Sequence, residues 1–123
     1  MNKRRFKAFR IKGESETGIG IAEHVGKESI YIASLYYDRQ LSHRDIFCAV
    51  GGHVYGLLED DDNAHIRLCD FQMKKSFKAA FPERVYFRTQ SYHESFSEPK
   101  LLAEDSIQRR ISITEVLCGK EEV

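Results

Sequence analysis

Apolar side chains recur at every second position through much of this sequence, a period that belongs to strands. Ser29 to Tyr37 carries it most strongly, with Ile30, Ile32 and Ser34 on one face and Tyr31, Ala33, Leu35 and Tyr37 on the other. Both faces are largely apolar, which predicts a strand near the centre of a sheet or covered on each side. Arg84 to Tyr92 sets Val85, Phe87 and Thr89 against Tyr86, Arg88 and Gln90. Ala64 to Met73 sets Ile66, Leu68 and Asp70 against Arg67, Cys69 and Phe71, and Arg110 to Leu117 alternates as a strand with one exposed face does. Arg5 to Lys12 interleaves cations with Phe6, Phe9 and Ile11 and fits a strand with a wet face. The turn-forming stretch Gly13 to Gly18 then leads into Ile19 and Ile21, two apart around Gly20.

Ser42 to Leu58 supports two readings. As one helix it has Ser42 as N-cap, Asp45 three residues later, and Ile46, Phe47, Val50, Val54, Leu57 and Leu58 on one face. Gly51, Gly52 and Gly56 oppose this, because three glycines cost an exposed helix roughly 3 kcal/mol relative to alanine. The favoured reading is therefore interrupted: an element to Val50, a turn at Gly51-Gly52 and a strand from His53 to Leu58. A hairpin across Asp61, Asp62 and Asn63 follows from it. Ser76 to Phe81 fits a helical turn stopped before Pro82, and Pro99 to about Gln108 a helix capped by Ser97 or Glu98. The fold class expected is strand-rich α+β. It consists of a single mostly antiparallel sheet or partly open barrel with one or two short helices, with a mainly β fold as the alternative.

Length and composition fit one globular domain over residues 1–123, since 123 residues suffice to bury a modest core and no repeat or linker divides them. Nineteen Lys and Arg balance nineteen Asp and Glu, so no overall field draws the molecule to nucleic acid or anionic membrane. The charge is segregated all the same. Lys3, Arg4, Arg5, Lys7, Arg10 and Lys12 crowd the amino terminus, and Glu59, Asp60, Asp61 and Asp62 form an acidic run. Cys48, Cys69 and Cys118 lack the paired spacing of a zinc site or redox motif and read as core or half-buried thiols in a reducing compartment. With neither a secretory signal nor a membrane-length apolar stretch, the expected location is cytoplasmic and no membrane partner is expected.

The histidines, His24, His43, His53, His65 and His93, have no zinc-like spacing, so no metal and no cofactor is expected. A compact hydrolase or nuclease would draw on His43, Asp45 and His53, yet nothing local brings them together. Gly18-Ile19-Gly20 lacks the third glycine of a dinucleotide fingerprint, and Gly51-Gly52-His53 lacks the lysine of a phosphate loop. Catalysis is left undecided and a non-enzymatic role favoured.

Two surfaces suit a macromolecular partner. Arg4, Arg5, Lys7 and Arg10 beside Phe6 and Phe9 have the chemistry to grip a phosphate backbone, although cations guarding an exposed sheet edge explain the same residues and are preferred. Tyr36, Tyr37, Asp38 and Arg39 at a strand end, with the Glu59 to Asp62 run, suit a protein partner. The expected function is a small protein-binding module of the inhibitor, immunity or regulatory kind. A hydrolase or nuclease and a nucleic-acid-binding domain are the alternatives, and homodimerisation through the Arg110 to Leu117 edge is open.

Overall fold

The computed structural model describes residues 2–69 and 84–117, and the helical turn expected at Ser76 to Phe81 lies outside them. Six strands form one open mixed sheet: β1 (Asn2–Lys12), β2 (Thr17–Val25), β3 (Glu28–Tyr37), β4 (Asp62–Cys69), β5 (Val85–Gln90) and β6 (Ile113–Val116). Their spatial order is β5-β4-β1-β2-β3-β6. Helix α1 (His43–Tyr55) follows β3, and α2 (Ser97–Arg109), entered through a 3-10 turn at Glu94–Phe96, links β5 to β6. This is the strand-rich α+β class expected. β1 pairs antiparallel with β2, β2 with β3 and β3 with β6, whereas β1–β4 and β4–β5 are parallel.

Strand alternation divides the sheet into two unlike faces. Phe6 and Ala8 of β1, Ile19 and Ile21 of β2, Ala33 and Leu35 of β3, and Ile66 and Leu68 of β4 are buried in the core with Ile46, Phe47, Val50 and Val54 of α1. On the opposite face, α2 lies almost on the backbone of β2. A methyl group on Gly20 would sit 1.9 Å from the Pro99 carbonyl oxygen, and one on Gly18 would sit 2.4 Å from that of Ala103. The Ser34 hydroxyl of β3 donates to the Leu102 carbonyl at 2.6 Å, pinning the helix to the next strand.

Three expectations need correction. α1 runs unbroken through Gly51 and Gly52. Its Ser42 cap is formed, with Oγ accepting from the Asp45 N–H at 3.1 Å. Four fully buried apolar side chains on one face, at roughly 1.5–3 kcal/mol each, outweigh the cost of the glycines. The hairpin across Asp61–Asn63 does not form, because a helix and not a strand precedes β4, which pairs with β1 instead. Nor is β1 an edge: it is hydrogen-bonded to β2 on one side and β4 on the other, so its cations guard no open ladder. β6 is an edge strand, exposed throughout, at the end of the chain where an edge was expected. Cys69 is buried and Cys48 exposed, and Cys118 lies outside the described residues. No described helix is long and apolar enough to cross a membrane.

Candidate functional site

Because Phe6 and Ala8 face α1, the pleat turns Lys3, Arg5, Lys7 and Phe9 to the opposite side of β1. The same rule turns His65, Arg67 and Cys69 of β4, and Tyr86, Arg88 and Gln90 of β5, to that side. Parallel register then aligns them in rows across the sheet. One row runs Tyr86, His65, Arg5 and on to His24 of β2, and the next runs Arg88, Arg67, Lys7. With neighbouring strands about 4.8 Å apart, that second row holds three cations within roughly 10 Å. α2 contacts β2 chiefly, with β3 and β1, and stops short of covering β4 and β5. Among the described residues, no helix covers the β4–β5 part of this face. The first row, with Arg67 and Arg88 of the second, lines an open cleft of about 230 Å³.

Like charges placed opposite one another across strands destabilise a sheet. The row nevertheless forms no ion pair: among the described residues none of Lys3, Arg5, Lys7, Arg67 and Arg88 enters one, and Glu98 is the carboxylate that acts on Lys7 from a distance. The titrating groups register the resulting positive field. Burial, then Arg67, pulls the Lys7 ammonium below its usual range, opposed by Glu98. His24 is lowered by burial, then by Lys7, Arg67 and Arg5, with Glu23 opposing. His65 is lowered by burial, then by Lys3 and Arg5. Within the same cleft the His65 and Tyr86 rings stack, centroids 5.1 Å apart and planes at 29°, and Tyr86 remains 52% exposed. Further along the face, Tyr92 meets the Phe9 ring edge-on at 6.0 Å, under the Lys100 ammonium at 5.4 Å.

Arg4, one residue from this face, is employed inside the fold. Its Nε and Nη2 donate to both Glu23 carboxylate oxygens at 2.7 Å, and its Nη1 donates to the Leu57 carbonyl at 2.7 Å and to Asp62 Oδ2 at 3.2 Å. Asp62 Oδ2 also accepts the Glu59 N–H at 2.8 Å. That backbone bond, with Asn2 and Arg4, holds its carboxyl below the usual range. Of the four basic residues singled out from sequence, Arg5 therefore lies in the cleft, and Lys7, on the same face, lines a neighbouring recess with His24, Glu94 and Glu98. Arg4 and Arg10 take the alternate positions of β1.

The remaining sequence candidates are dispersed. His43, Asp45 and His53 all lie on α1, but ten residues separate the two imidazoles, about 15 Å of helix. His53 is half-buried with Nε2 2.7 Å from the Tyr31 hydroxyl, and burial lowers its pKa. No group of three or more His, Cys, Asp or Glu able to hold a metal ion occurs among the described residues. At the end of β3, the Tyr36 hydroxyl donates to Glu16 at 2.5 Å, Tyr37 is half-buried against the core, and Asp38 and Arg39 are exposed. In the acidic run, the Glu59 and Asp60 carbonyls accept from Arg84 at 2.8 and 3.1 Å, and Asp62 is enclosed. Only Glu59, Asp60 and Asp61 stay exposed.

Sequence reasoning missed Lys3, His65, Arg67, Tyr86 and Arg88 as members of one site. The period-two pattern already set Arg67 apart from Ile66 and Leu68, and Arg88 apart from Phe87. What it lacked was the adjacency of β1, β4 and β5, which depends on two parallel crossovers. Comparison with known proteins finds no matching family model, no matching curated protein and no matching solved structure, so the cleft is interpreted from its own chemistry.

Proposed function

We propose that the protein binds nucleic acid, laying a phosphate backbone across this face of β1, β4 and β5. The row Arg88–Arg67–Lys7 carries this reading, because three neighbouring cations, none in an ion pair among the described residues, raise the energy of the free protein and are relieved by a polyanion. Arginine suits the role, since its planar fork matches phosphate oxygens bidentately. A net charge of zero does not oppose it, because affinity for phosphates depends on the local field. The sheet-edge explanation for the amino-terminal cations fails with β1 in the interior of the sheet. The protein-partner reading, an inhibitor, immunity or regulatory module, draws on Tyr36 and on the Glu59 to Asp62 turn. Several of their polar groups are already bonded within the fold.

The test is a salt titration of binding to a fluorescent single-stranded 12-mer, using the natural protein and a variant with Lys7→Gln, Arg67→Gln and Arg88→Gln together. Each neutralised phosphate contributes about 0.7 to the slope of log affinity against log salt for a single strand, so the variant should lose roughly 2 from that slope. An unchanged slope and affinity, or binding of an acidic protein with none of the oligonucleotide, contradicts the reading.

A further inference from the structure

Resting on that reading, we infer that the ligand is a single-stranded nucleic acid whose bases are exposed, one of them stacking on Tyr86. The ring is held in place by His65, stacked at 5.1 Å, yet half of the residue's surface is open. A large exposed aromatic on an edge strand adds little to the core, and here it stands in the row next to Arg88 and Arg67. Phosphate-gripping cations beside a pre-positioned ring form the combination that binds single strands, because every base offers a flat face to stack on. A duplex keeps those faces inside its own stack. The cations here also lie on a sheet floor beside α2, not on a protruding helix or ribbon of the kind that enters a groove.

The inference separates from the general one by comparing ligands of equal charge. Binding is measured for a single-stranded oligo-dT 12-mer, an oligo-U 12-mer, an abasic strand of the same length, a duplex carrying the same number of phosphates, and inorganic polyphosphate. Tyr86→Ala and Tyr86→Phe are compared with the natural protein, with circular dichroism to establish folding. The expected result is that both base-bearing single strands bind about tenfold more tightly than the abasic strand or polyphosphate. Tyr86→Ala should abolish that difference without changing polyphosphate binding, and Tyr86→Phe should retain it. If Tyr86→Ala leaves the preference intact, or the duplex binds as tightly as single strands, the stacking inference fails while phosphate binding stands. If none of the five ligands binds, both fall.

Discussion

One step along β1 separates two arginines with different employments. The pleat sends Arg4 toward Glu23 and Asp62 and sends Arg5 to the open cleft, between His65 and His24. Glu23 is enclosed, its side chain 4% exposed, so removing Arg4 strands a carboxylate with much of its hydration gone. Arg4→Ala should therefore lower unfolding free energy by roughly 2–4 kcal/mol in urea denaturation. This is somewhat below the figure for fully buried pairs, because Arg4 keeps 23% of its side chain exposed. Its folded fraction should bind oligonucleotide as before. Arg5→Ala should do the reverse, leaving stability within about 0.5 kcal/mol and weakening binding. Equal effects of the two substitutions on affinity would show that strand alternation does not define the site. Charge clustering and alternation near the amino terminus were legible in the sequence. The partners of Arg4 were not, because Glu23 and Asp62 lie 19 and 58 residues away.

Among the elements, glycine has opposite meanings in α1 and β2. Gly52 lies on the exposed side of α1 with nothing within 4 Å of an added methyl group, so Gly52→Ala should stabilise the protein by about 0.5–1 kcal/mol. Gly20 is where the α2 backbone rests, and its added carbon would stand 1.9 Å from the Pro99 oxygen, a contact that requires the helix to move. Gly20→Ala should cost roughly 3 kcal/mol and expose residues 97–109 to limited proteolysis. A Gly20→Ala variant with an unchanged melting temperature would mean that α2 does not dock as described. Helical periodicity in Ile46, Phe47, Val50 and Val54 was visible, and local propensity alone argued against an unbroken α1. Burial decided otherwise. The glycines of β2 read simply as turn punctuation and a strand interior, since nothing in a one-dimensional pattern reveals a helix lying across them. The parallel pairing of β1 with β4 was hidden for a similar reason. Alternation assigns faces within a strand, but neighbours are chosen by crossovers.

For the molecule as a whole, a net charge of zero conceals a division. Three exposed carboxylates, Glu59 to Asp61, share one turn, and Lys3, Arg5, Arg67 and Arg88 line one cleft of the sheet face. That division gives a pH response with a definite sign. His24 and His65 have folded pKa values below their ordinary value, so the folded protein holds fewer protons than the unfolded chain. Their contribution to stability is fully present above the ordinary imidazole pKa and is lost as pH falls from there through the lowered folded values. A bound phosphate strand reverses the field and favours both imidazolium forms, so affinity should rise as pH falls. Asp62 behaves as a depressed carboxylate. Its stabilising bonds persist above the ordinary carboxylate range and are lost only as acid reaches its lowered pKa. The decisive measurement is an NMR titration of the imidazole resonances with and without a single-stranded 12-mer. His24 and His65 are predicted to titrate below the ordinary value in the free protein and to shift upward together when the oligonucleotide is added. His53, half-buried on α1 at the other face, should stay where it is. Oligonucleotide that binds without moving His24 or His65, or that moves His53 instead, would place the ligand elsewhere and contradict the assignment of the β1–β4–β5 face.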